Sequence, residues 1–312
     1  MLDVRDISFS YSGKPAVSSV SFKLEAGKHL ALLGESGSGK STLLKLLYGI
    51  YDLDSGSISF DETSILGPKF NLIAGDDRFR YLAQDFGLMP FSTAAENVGS
   101  FLSNINITKK RDRIEELLDL VDMTDFAQVK PKNLSGGQQQ RIALAKALAS
   151  EPKLMLLDEP FSQIDSFRSK NLKRRLFHYF REKDIACIVA THEGDDALAF
   201  ADEILILKDG QTLQKGIPKH IFQNPETIYV ASLFGEAMQI PMRHFNAESR
   251  GEVIVYAHQL RISQSGLRAI VRSSYFHGDH YTIEASYTDG ILWFRNSVPI
   301  MNGQGVFLSL MK

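Results

Sequence analysis

Apolar residues recur in short runs along the first two thirds of the chain. Val4 to Tyr11 and Val20 to Leu24 are predicted as strands, and the run from Leu30 to Leu33 enters a glycine-rich loop. Leu154 to Leu157 and Ile185 to Ala190 are continuous apolar runs, which are typical of parallel strands buried on both faces. The pattern therefore predicts a sheet of the α/β type.

Two further segments have the spacing of helices. From Ser41 to Tyr48 the leucines predict a helix packed on the sheet, so that strand, loop and helix follow one another as in α/β domains. Thr108 to Val121 is predicted as a second helix that Thr108 can cap. Its apolar residues fall at i, i+3, i+4 and i+7, and they are Ile114, Leu117, Leu118 and Val121.

The pattern changes after about residue 216, where Gly216-Ile217-Pro218 interrupts it. We expect residues 1–217 to form one domain, residues 218–237 to form a linker, and residues 238–312 to form a small β lobe. Within the lobe, the strands Tyr281 to Tyr287 and Ile291 to Phe294 flank Asp289-Gly290, which predicts a hairpin.

Composition narrows the classes of function. Hydrophobic residues make up 44% and charged residues 23%, which allows a packed core, and the net charge of −2 lacks the basic excess of a dedicated nucleic-acid binder. No apolar run approaches the roughly 20 residues of a membrane span, and the first residues lack the apolar stretch of a signal peptide. We therefore expect a chain that stays where it is made and reaches a membrane only through partners. The lone cysteine, Cys187, is predicted as a buried core residue.

The glycine-rich loop carries a phosphate-binding pattern. Residues 34–41, the phosphate loop, read GESGSGKS between a predicted strand and a predicted helix. Backbone amides there can wrap a β-phosphate, Lys40 can neutralise the β- and γ-phosphates, and the Ser41 hydroxyl can ligate Mg²⁺. The predicted ATP-binding residues of this segment are Gly34, Glu35, Ser36, Gly37, Ser38, Gly39, Lys40, Ser41 and Thr42.

Two carboxylates follow a buried strand. Asp158 and Glu159 end the run Leu154 to Leu157, at the end of a strand where α/β sheets bind ligands. Asp158 is predicted to hold Mg²⁺ through its water shell, and Glu159 to polarise the attacking water. Many buried strands end in an acidic loop, so these two carboxylates alone are weak evidence for a magnesium site. Together with the phosphate loop they are strong evidence for it.

Residues 134–141 read LSGGQQQR and form the third motif. Ser135 followed by Gln138 is also an ordinary capping box, but a capping box does not need Gly136 and Gly137, which weaken a helix start. Two glycines there indicate that something approaches the backbone closely. The motif matches the signature of ABC ATPases, and the chain resembles the nucleotide-binding subunit of ABC transporters. That resemblance implies that the close object is the γ-phosphate of ATP bound to a second copy.

The resemblance assigns further positions in the expected order. Gln84 is similar to the glutamine that reaches Mg²⁺ and the attacking water and that senses the membrane partner. His192 is similar to the switch histidine at the γ-phosphate, and Tyr11 to the aromatic residue that stacks on adenine. Residues 161–165 form the D-loop, where Gln163 and Ile164 depart from the small residue and leucine usual in the family. This departure concerns contacts across a dimer interface.

The likeness extends beyond the motifs. Residues 196–202 and 229–235 resemble ATPases of bacterial importers, and residues 274–278 and 303–308 resemble the OB-like transport-associated (TOBE) lobe of polyamine, ferric-iron, sulfate and sugar importers. The resemblance implies a RecA-like α/β phosphate-loop core with a helical subdomain at about residues 85–150, followed by a small OB-like β barrel.

The resemblance also implies a function. The chain is expected to be an ATPase with ATP and Mg²⁺ as its ligands, and its predicted catalytic residues are Glu159, His192 and Gln84. Ser41, Gln84 and Asp158 are the expected Mg²⁺ ligands, and Ser135, Gly136, Gly137 and Gln138 the residues acting in trans. The implied assembly is an ATP-dependent homodimer on membrane-spanning permease subunits, with a substrate-binding protein acting through them, at the cytoplasmic face of the membrane. An exporter ATPase, a non-transport ABC ATPase and another phosphate-loop enzyme such as a nucleotide kinase are the alternatives.

Overall fold

The structure is a computed structural model that describes residues 1–83, 85–246 and 248–311, apart from the side chains of residues 166–168. The chain folds into two compact units, Met1–Pro218 and Lys219–Lys312. In the part of the chain so described, no helix combines the length and the apolar character needed to cross a membrane.

The first unit contains ten strands and six helices with α-helical geometry among the described residues. The strands are β1 (Leu2–Tyr11), β2 (Lys14–Leu24), β3 (His29–Leu33), β4 (Ser55–Phe60), β5 (Thr63–Ser64), β6 (Phe79–Leu82), β7 (Leu154–Asp158), β8 (Ala186–Thr191), β9 (Glu203–Lys208) and β10 (Gln211–Gly216). The helices are α1 (Lys40–Leu47), α2 (Ala94–Val98), α3 (Ile107–Leu120), α4 (Gly136–Leu148), α5 (Ser166–Glu182) and α6 (Gly194–Phe200).

A six-stranded sheet forms the centre of this unit, in the order β10-β9-β3-β8-β7-β6. All neighbours are parallel except the edge pair β10 and β9. The strands β3, β7 and β8 are buried at every position, because their apolar side chains face covering layers on both sides. Leu33 pairs with Thr191 and Asp158 with Ala190, so the carboxyl ends of these three strands lie side by side.

A second sheet, in the order β2-β1-β4-β5, is antiparallel. Its apolar residues share one core with α1 and with one face of the central sheet, including Ile7, Leu43, Leu47 and Leu156. This packing fixes α1 directly behind the loop that follows β3.

The helices α2, α3 and α4 form the helical part of the unit. Their apolar residues share a second core with β7 and α5, including Leu117, Leu144 and Phe180. The predicted helix over residues 108–121 is present, but its cap is different: Asn106 accepts the N–H of Lys109 at 2.9 Å, and the helix begins before Thr108. Asn106 is the N-cap because it directly precedes the first helical residue, which is the position where a capping side chain can accept the free N–H groups.

The second unit is rich in strands. Its elements are α7 (Pro218–Gln223), which starts at the boundary, α8 (Ile228–Ser232), β11 (Ala237–Pro241), β12 (Glu252–Tyr256), β13 (Leu260–Ser263), β14 (Leu267–Phe276), β15 (Tyr281–Tyr287), β16 (Gly290–Asn296) and β17 (Gly305–Leu310). The strands β11 and β12 pair with each other, and the remaining five form an antiparallel sheet in the order β13-β17-β14-β15-β16. The edge strands β13 and β16 contact each other, so this sheet curls in the manner of a small barrel around Phe294 and Leu308.

The predicted hairpin is β15 and β16, which pair from Tyr281 with Asn296 to Tyr287 with Gly290. The two turn residues are Thr288 and Asp289, one position earlier than the Asp-Gly pair suggests. Gly290 already belongs to β16 because its backbone continues the ladder.

Candidate functional site

The phosphate loop leaves β3 and enters α1. Gly39 stands at the N-terminus of α1 with φ 102°, a left-handed conformation that favours glycine. A Cβ at this position would lie 2.5 Å from the carbonyl oxygen of Ala16. The loop therefore needs glycine here both for its backbone angle and for its close neighbour, and the amino end of α1 faces the space in front of the loop, where anions are favoured.

Lys40 is held inside this loop and is only 6% exposed. Its Nζ donates to the carbonyl oxygens of Gly34 at 2.7 Å and Glu35 at 2.8 Å. Burial lowers the pKa of Lys40, while the nearby carboxylates of Glu159 and Asp158 act in the opposite direction. The loop thus holds the Lys40 ammonium in place through contacts with neutral carbonyl oxygens.

Asp158 ends β7 and faces α1, with 4% of its surface exposed. Its Oδ1 accepts from the Ser41 hydroxyl at 2.9 Å, and its Oδ2 accepts from the Tyr81 hydroxyl at 3.3 Å. Burial raises the pKa of Asp158, and the two hydrogen bonds partly offset that effect. Tyr81, on β6, was missed by the sequence analysis; burial and the Asp158 charge raise the pKa of its phenol.

This pair of oxygen donors fits a magnesium ion. Mg²⁺ prefers oxygen ligands, keeps several waters and takes one or two carboxylates together with substrate phosphates. Ser41 and Asp158 supply a hydroxyl and a carboxylate that already meet beside the phosphate loop. Throughout the described residues no group of three or more His, Cys, Asp or Glu side chains could hold a metal ion. The third predicted ligand, Gln84, lies outside the described residues.

Glu159 and His192 directly follow the neighbouring strands β7 and β8 and contact each other. The Nδ1 atom of His192 lies 3.1 Å from Oε1 of Glu159. The Glu159 side chain lines the cavity in front of the phosphate loop, together with Lys40 and Ser41. The carboxylate, the imidazole and the lysine are thus brought together at the carboxyl edge of the sheet, as the alignment of β3, β7 and β8 requires.

A buried lysine that the sequence motifs did not indicate anchors the segment that follows His192. Lys173, on α5, is 5% exposed and donates to Glu193 at 3.0 Å. Its Nζ also lies 2.5 Å from Asp196 and 5.1 Å from the ring centroid of Phe161. Two carboxylates and an aromatic face compensate the burial of this charge. Lys173 therefore connects the segment after His192 with the first residue of the D-loop.

The space in front of the phosphate loop is a cavity of about 440 Å³, which we name the phosphate-loop cavity. Tyr11 stands at its rim, 40% exposed, with its hydroxyl 3.4 Å from Oγ1 of Thr42. Its ring packs edge-on against Phe9 and Tyr51, so a planar surface is presented beside the cavity. The lining is Tyr11, Pro15, Ala16, Ser36, Gly37, Gly39, Lys40, Ser41, Thr42, Glu159, Asp209 and Gly210.

The signature residues lie elsewhere on the same unit. Ser135 caps α4 in a capping box with Gln138: its Oγ accepts the N–H of Gln138 at 3.3 Å, and Oε1 of Gln138 accepts the N–H of Ser135 at 2.9 Å. They line a second cavity of about 400 Å³, the signature cavity, formed by Ser135, Gly136, Gly137, Gln138, Arg141, Gln163, Ile164 and Asp165. The two cavities share no lining residue, so a single chain does not bring the phosphate loop and the signature together.

The two signature glycines have a close neighbour within the chain. A Cβ at Gly137 would lie 2.5 Å from the backbone oxygen of Gln163, and one at Gly136 would lie 2.3 Å from its Oε1. The resemblance to ABC ATPases predicted that this space holds a phosphate bound to a second copy. The D-loop of the same chain already requires glycine at Gly137, because a backbone atom cannot swing aside.

The fold and the site define a phosphate-loop nucleotide-binding protein of the α/β class. A family model described as "ABC transporter" matches residues 17–162. The chain is 37% identical over 241 residues to the "Fe(3+) ions import ATP-binding protein FbpC" of Pseudomonas fluorescens, covering 77% of this chain and 68% of that protein. It is 35% identical over 272 residues to the "Sulfate/thiosulfate import ATP-binding protein CysA" of Bradyrhizobium diazoefficiens, covering 85% and 77%. The chain belongs to the ABC transporter family of ATP-binding proteins.

Solved structures agree with this assignment. The ATP-binding cassette MJ0796, in a dimeric post-hydrolysis state bound to ADP and Pi, matches with a TM-score of 0.62 and 28% identity over 70% of this chain and 99% of that one. The cbiO1 protein of Clostridium perfringens, part of the cbiONQ transporter complex, matches with a TM-score of 0.63 and 27% identity, covering 72% and 91%. The predicted fold class and the ATPase assignment are confirmed, and a nucleotide kinase is excluded.

Proposed function

We propose that this chain is the ATP-hydrolysing subunit of a membrane importer and that two copies work together with two ATP molecules between them. The observation that carries the proposal is the separation of the phosphate-loop cavity from the signature cavity. Each cavity contains half of the groups that the family uses on one ATP. A head-to-tail pair of chains joins the two halves twice.

In the first half-site, one chain binds the nucleotide. The backbone of residues 34–42 surrounds the phosphates, and Lys40 neutralises the β- and γ-phosphates from its fixed position. Tyr11 offers its exposed ring to the adenine. Since these groups are supported by bonds within the chain, binding of ATP to a single copy needs no partner.

Glu159 acts as the general base in ATP hydrolysis. A water attacks the γ-phosphorus, the bond from that phosphorus to the β,γ-bridging oxygen breaks, and the proton of the water passes to the Glu159 carboxylate, giving ADP and phosphate. His192, 3.1 Å from Glu159, contacts the γ-phosphate and orients this carboxylate. Ser41, Asp158 and Gln84 would hold Mg²⁺, which neutralises phosphate charge when bound. Asp158 is less suited to act as the base because it is assigned to the metal.

The second half-site comes from the other chain. Residues 135–138 stand at the amino end of α4, where the helix dipole and backbone amides favour an anion. They therefore suit the γ-phosphate of ATP held by the partner copy. Closure around two ATP molecules, followed by hydrolysis and opening, is the cycle that moves the membrane subunits.

The direction of transport rests on the relatives. The named relatives are import ATP-binding proteins for ferric iron and sulfate, and the chain has a strand-rich second unit after the cassette. We infer import through membrane-spanning permease subunits, supplied by a substrate-binding protein, with this chain attached to the cytoplasmic face. The first 217 residues act as the nucleotide-binding domain, with residues 85–150 as its helical part, and residues 238–312 as the TOBE lobe.

The central test is Glu159→Gln, which keeps the shape of the side chain and removes the basic carboxylate. Hydrolysis falls by ~10²–10⁴-fold, the usual contribution of general-base assistance. ATP binding persists, because Lys40 and Ser41 are unchanged, and the ATP-bound dimer accumulates. Size-exclusion chromatography with and without Mg²⁺-ATP measures this as a shift from monomer to dimer. Hydrolysis within a few-fold of wild type and no trapped dimer would contradict the roles given to Glu159 and to the pairing.

The import assignment has its own test. Affinity purification of the tagged chain from native membranes recovers membrane-spanning subunits together with a substrate-binding protein. Recovery of membrane subunits without any binding protein would favour an exporter. Recovery of neither, with an active ATPase, would favour a non-transport role.

A further inference from the structure

A buried amide connects the D-loop with the signature helix of the same chain. Gln140, in the second turn of α4, is 2% exposed. Its Nε2 donates to the backbone oxygen of Glu159 at 3.1 Å, and its Oε1 accepts the backbone N–H of Gln163 at 3.1 Å. One side chain on α4 thus holds both ends of the segment that runs from the end of β7 into the D-loop.

The backbone at Glu159 needs such support. Its φ is 49°, in the left-handed region that non-glycine residues occupy only at an energetic cost. Its N–H donates to the oxygen of Ala190 at 3.0 Å, and its oxygen also accepts from the N–H and hydroxyl of Ser162 at 3.3 and 3.1 Å. These bonds fix the peptide planes on either side of Glu159 and hence the direction of its carboxylate. Gln140 contributes the bond that comes from α4.

The glycines of the signature provide an independent observation. Because a Cβ at Gly137 would meet the Gln163 backbone oxygen at 2.5 Å, the D-loop lies in direct contact with the amino end of α4. The contact of Gly137 and the bonds of Gln140 act on the same segment from adjacent turns of one helix. This arrangement leaves little room for the D-loop to move separately from the signature.

We propose that Gln140 is a positioning residue that makes the Glu159 backbone and the signature helix move together. The inference rests on the proposed function, in which Glu159 acts on ATP bound to its own chain and the signature acts on ATP bound to the partner. When the signature meets the partner's ATP, the displacement of α4 reaches Glu159 through Gln140 and turns its carboxylate toward the water. Each chain thereby links the two ATP sites of the pair.

The first experiment compares two methionine variants in the full-length protein. Gln140→Met keeps the length of the side chain and removes both hydrogen bonds. We expect its kcat to fall by ~10²-fold, as for a misplacement of about 1 Å, with KM for ATP changed by less than ~3-fold. The matched control is Gln139→Met in the same turn, because the Gln139 amide donates instead to the Leu134 oxygen at 3.0 Å.

The second experiment needs no activity. Amide hydrogen exchange over residues 159–165 reports whether the Gln163 N–H is still bonded. Exchange is faster in Gln140→Met and unchanged in Gln139→Met. In its ionised form, Gln140→Glu retains an acceptor for the Gln163 N–H and loses the donor to the Glu159 backbone oxygen, so in that form exchange at Gln163 stays slow while kcat falls. This isosteric variant also decides the question if Gln140→Met does not fold.

The outcomes separate the two proposals. A wild-type chain that does not hydrolyse ATP contradicts the proposed function, whereas the exchange result still tests the contact of Gln140 with the D-loop. If Gln140→Met and Gln140→Glu hydrolyse ATP as fast as Gln139→Met, or if exchange over residues 159–165 does not respond to Gln140→Met, the positioning role is wrong. A fall in kcat with unchanged KM in both Gln140 variants supports it.

Discussion

The phosphate-loop half and the signature half of the site differ in how their polar groups are held. In the first half, Lys40 and Asp158 are buried and bonded within the chain, to the loop carbonyls and to Ser41 and Tyr81. In the second half, Ser135 is exposed, and the amino end of its helix opens on a surface cavity. The first half is preorganised by its own chain, while the second offers groups to a partner.

This difference separates binding from hydrolysis. A half-site whose charges are already fixed binds its ligand without further ordering, which favours affinity. A half-site on the surface contributes only after two chains meet. Changes in the first half should therefore affect the single chain, and changes in the second should affect only the pair.

The largest effect is expected from Lys40→Ala. The variant leaves the triphosphate without its main cation, and loss of one member of such a charge pair costs about 2–5 kcal/mol of binding free energy, or roughly 30-fold or more in affinity. A filter-binding assay with labelled ATP measures the loss. Lys109→Ala is the control, because it removes a lysine from an exposed position of α3 and should bind ATP like the wild type. Equal binding by Lys40→Ala and wild type would show that this half-site does not hold the phosphates.

The next effect is expected from Ser135→Arg. A large cation at the exposed end of α4 blocks the approach of a second chain, so hydrolysis stops, while ATP binding to the single chain is retained. Binding and hydrolysis are measured on the same preparation. If the variant hydrolysed ATP at the wild-type rate, the signature would not act across a pair of chains.

The smallest expected effect is on the pH dependence of stability, and it arises from a histidine on β3, the strand that precedes the phosphate loop. His29 on β3 is 1% exposed and packs against the rings of Phe177 and Phe180. Burial lowers the pKa of His29 below its usual 6.5. The folded chain thus keeps the imidazole neutral while the unfolded chain takes up a proton, so stability is fully present above about pH 6.5 and falls below it, by at most ~1.4 kcal/mol per pH unit.

Urea denaturation between pH 7.5 and 5.5 measures this dependence. His29→Leu should flatten the decline in the free energy of unfolding. The control is His178→Leu, because the His178 side chain is 73% exposed and keeps an ordinary contact with Glu182 on the surface of α5. If the free energy of unfolding of His29→Leu declined with falling pH as steeply as that of the wild type, the pH dependence would come from other groups.

Much of the fold follows from local patterns. The fully apolar runs became the parallel strands β3, β7 and β8, and the i, i+3, i+4, i+7 spacing became α3. The errors lie at element ends. Thr108 and Asn106 are both good caps, and the choice between them depends on where the helix starts, which packing decides.

The supporting residues of the site were harder to find. Tyr81 has the sequence context of an ordinary strand residue, and Lys173 that of a charged residue on an amphipathic helix. The burial of Gln140 could have been predicted from the sequence. It lies four residues before Leu144 and eight before Leu148, and therefore on the buried face of α4. A glutamine on that stripe must find partners inside the protein.

The sequence by itself determined the motifs, because a phosphate loop, a pair of acidic residues after a strand and a capping box depend on neighbours within a few positions. It also determined the order of the elements that carry them. Only the tertiary structure decided that Asp158 meets Ser41 and Tyr81, that Gln140 holds Glu159 and Gln163, and that the signature opens on a separate cavity. These contacts join residues that are far apart in the chain, and their geometry depends on how strands and helices pack rather than on any local preference.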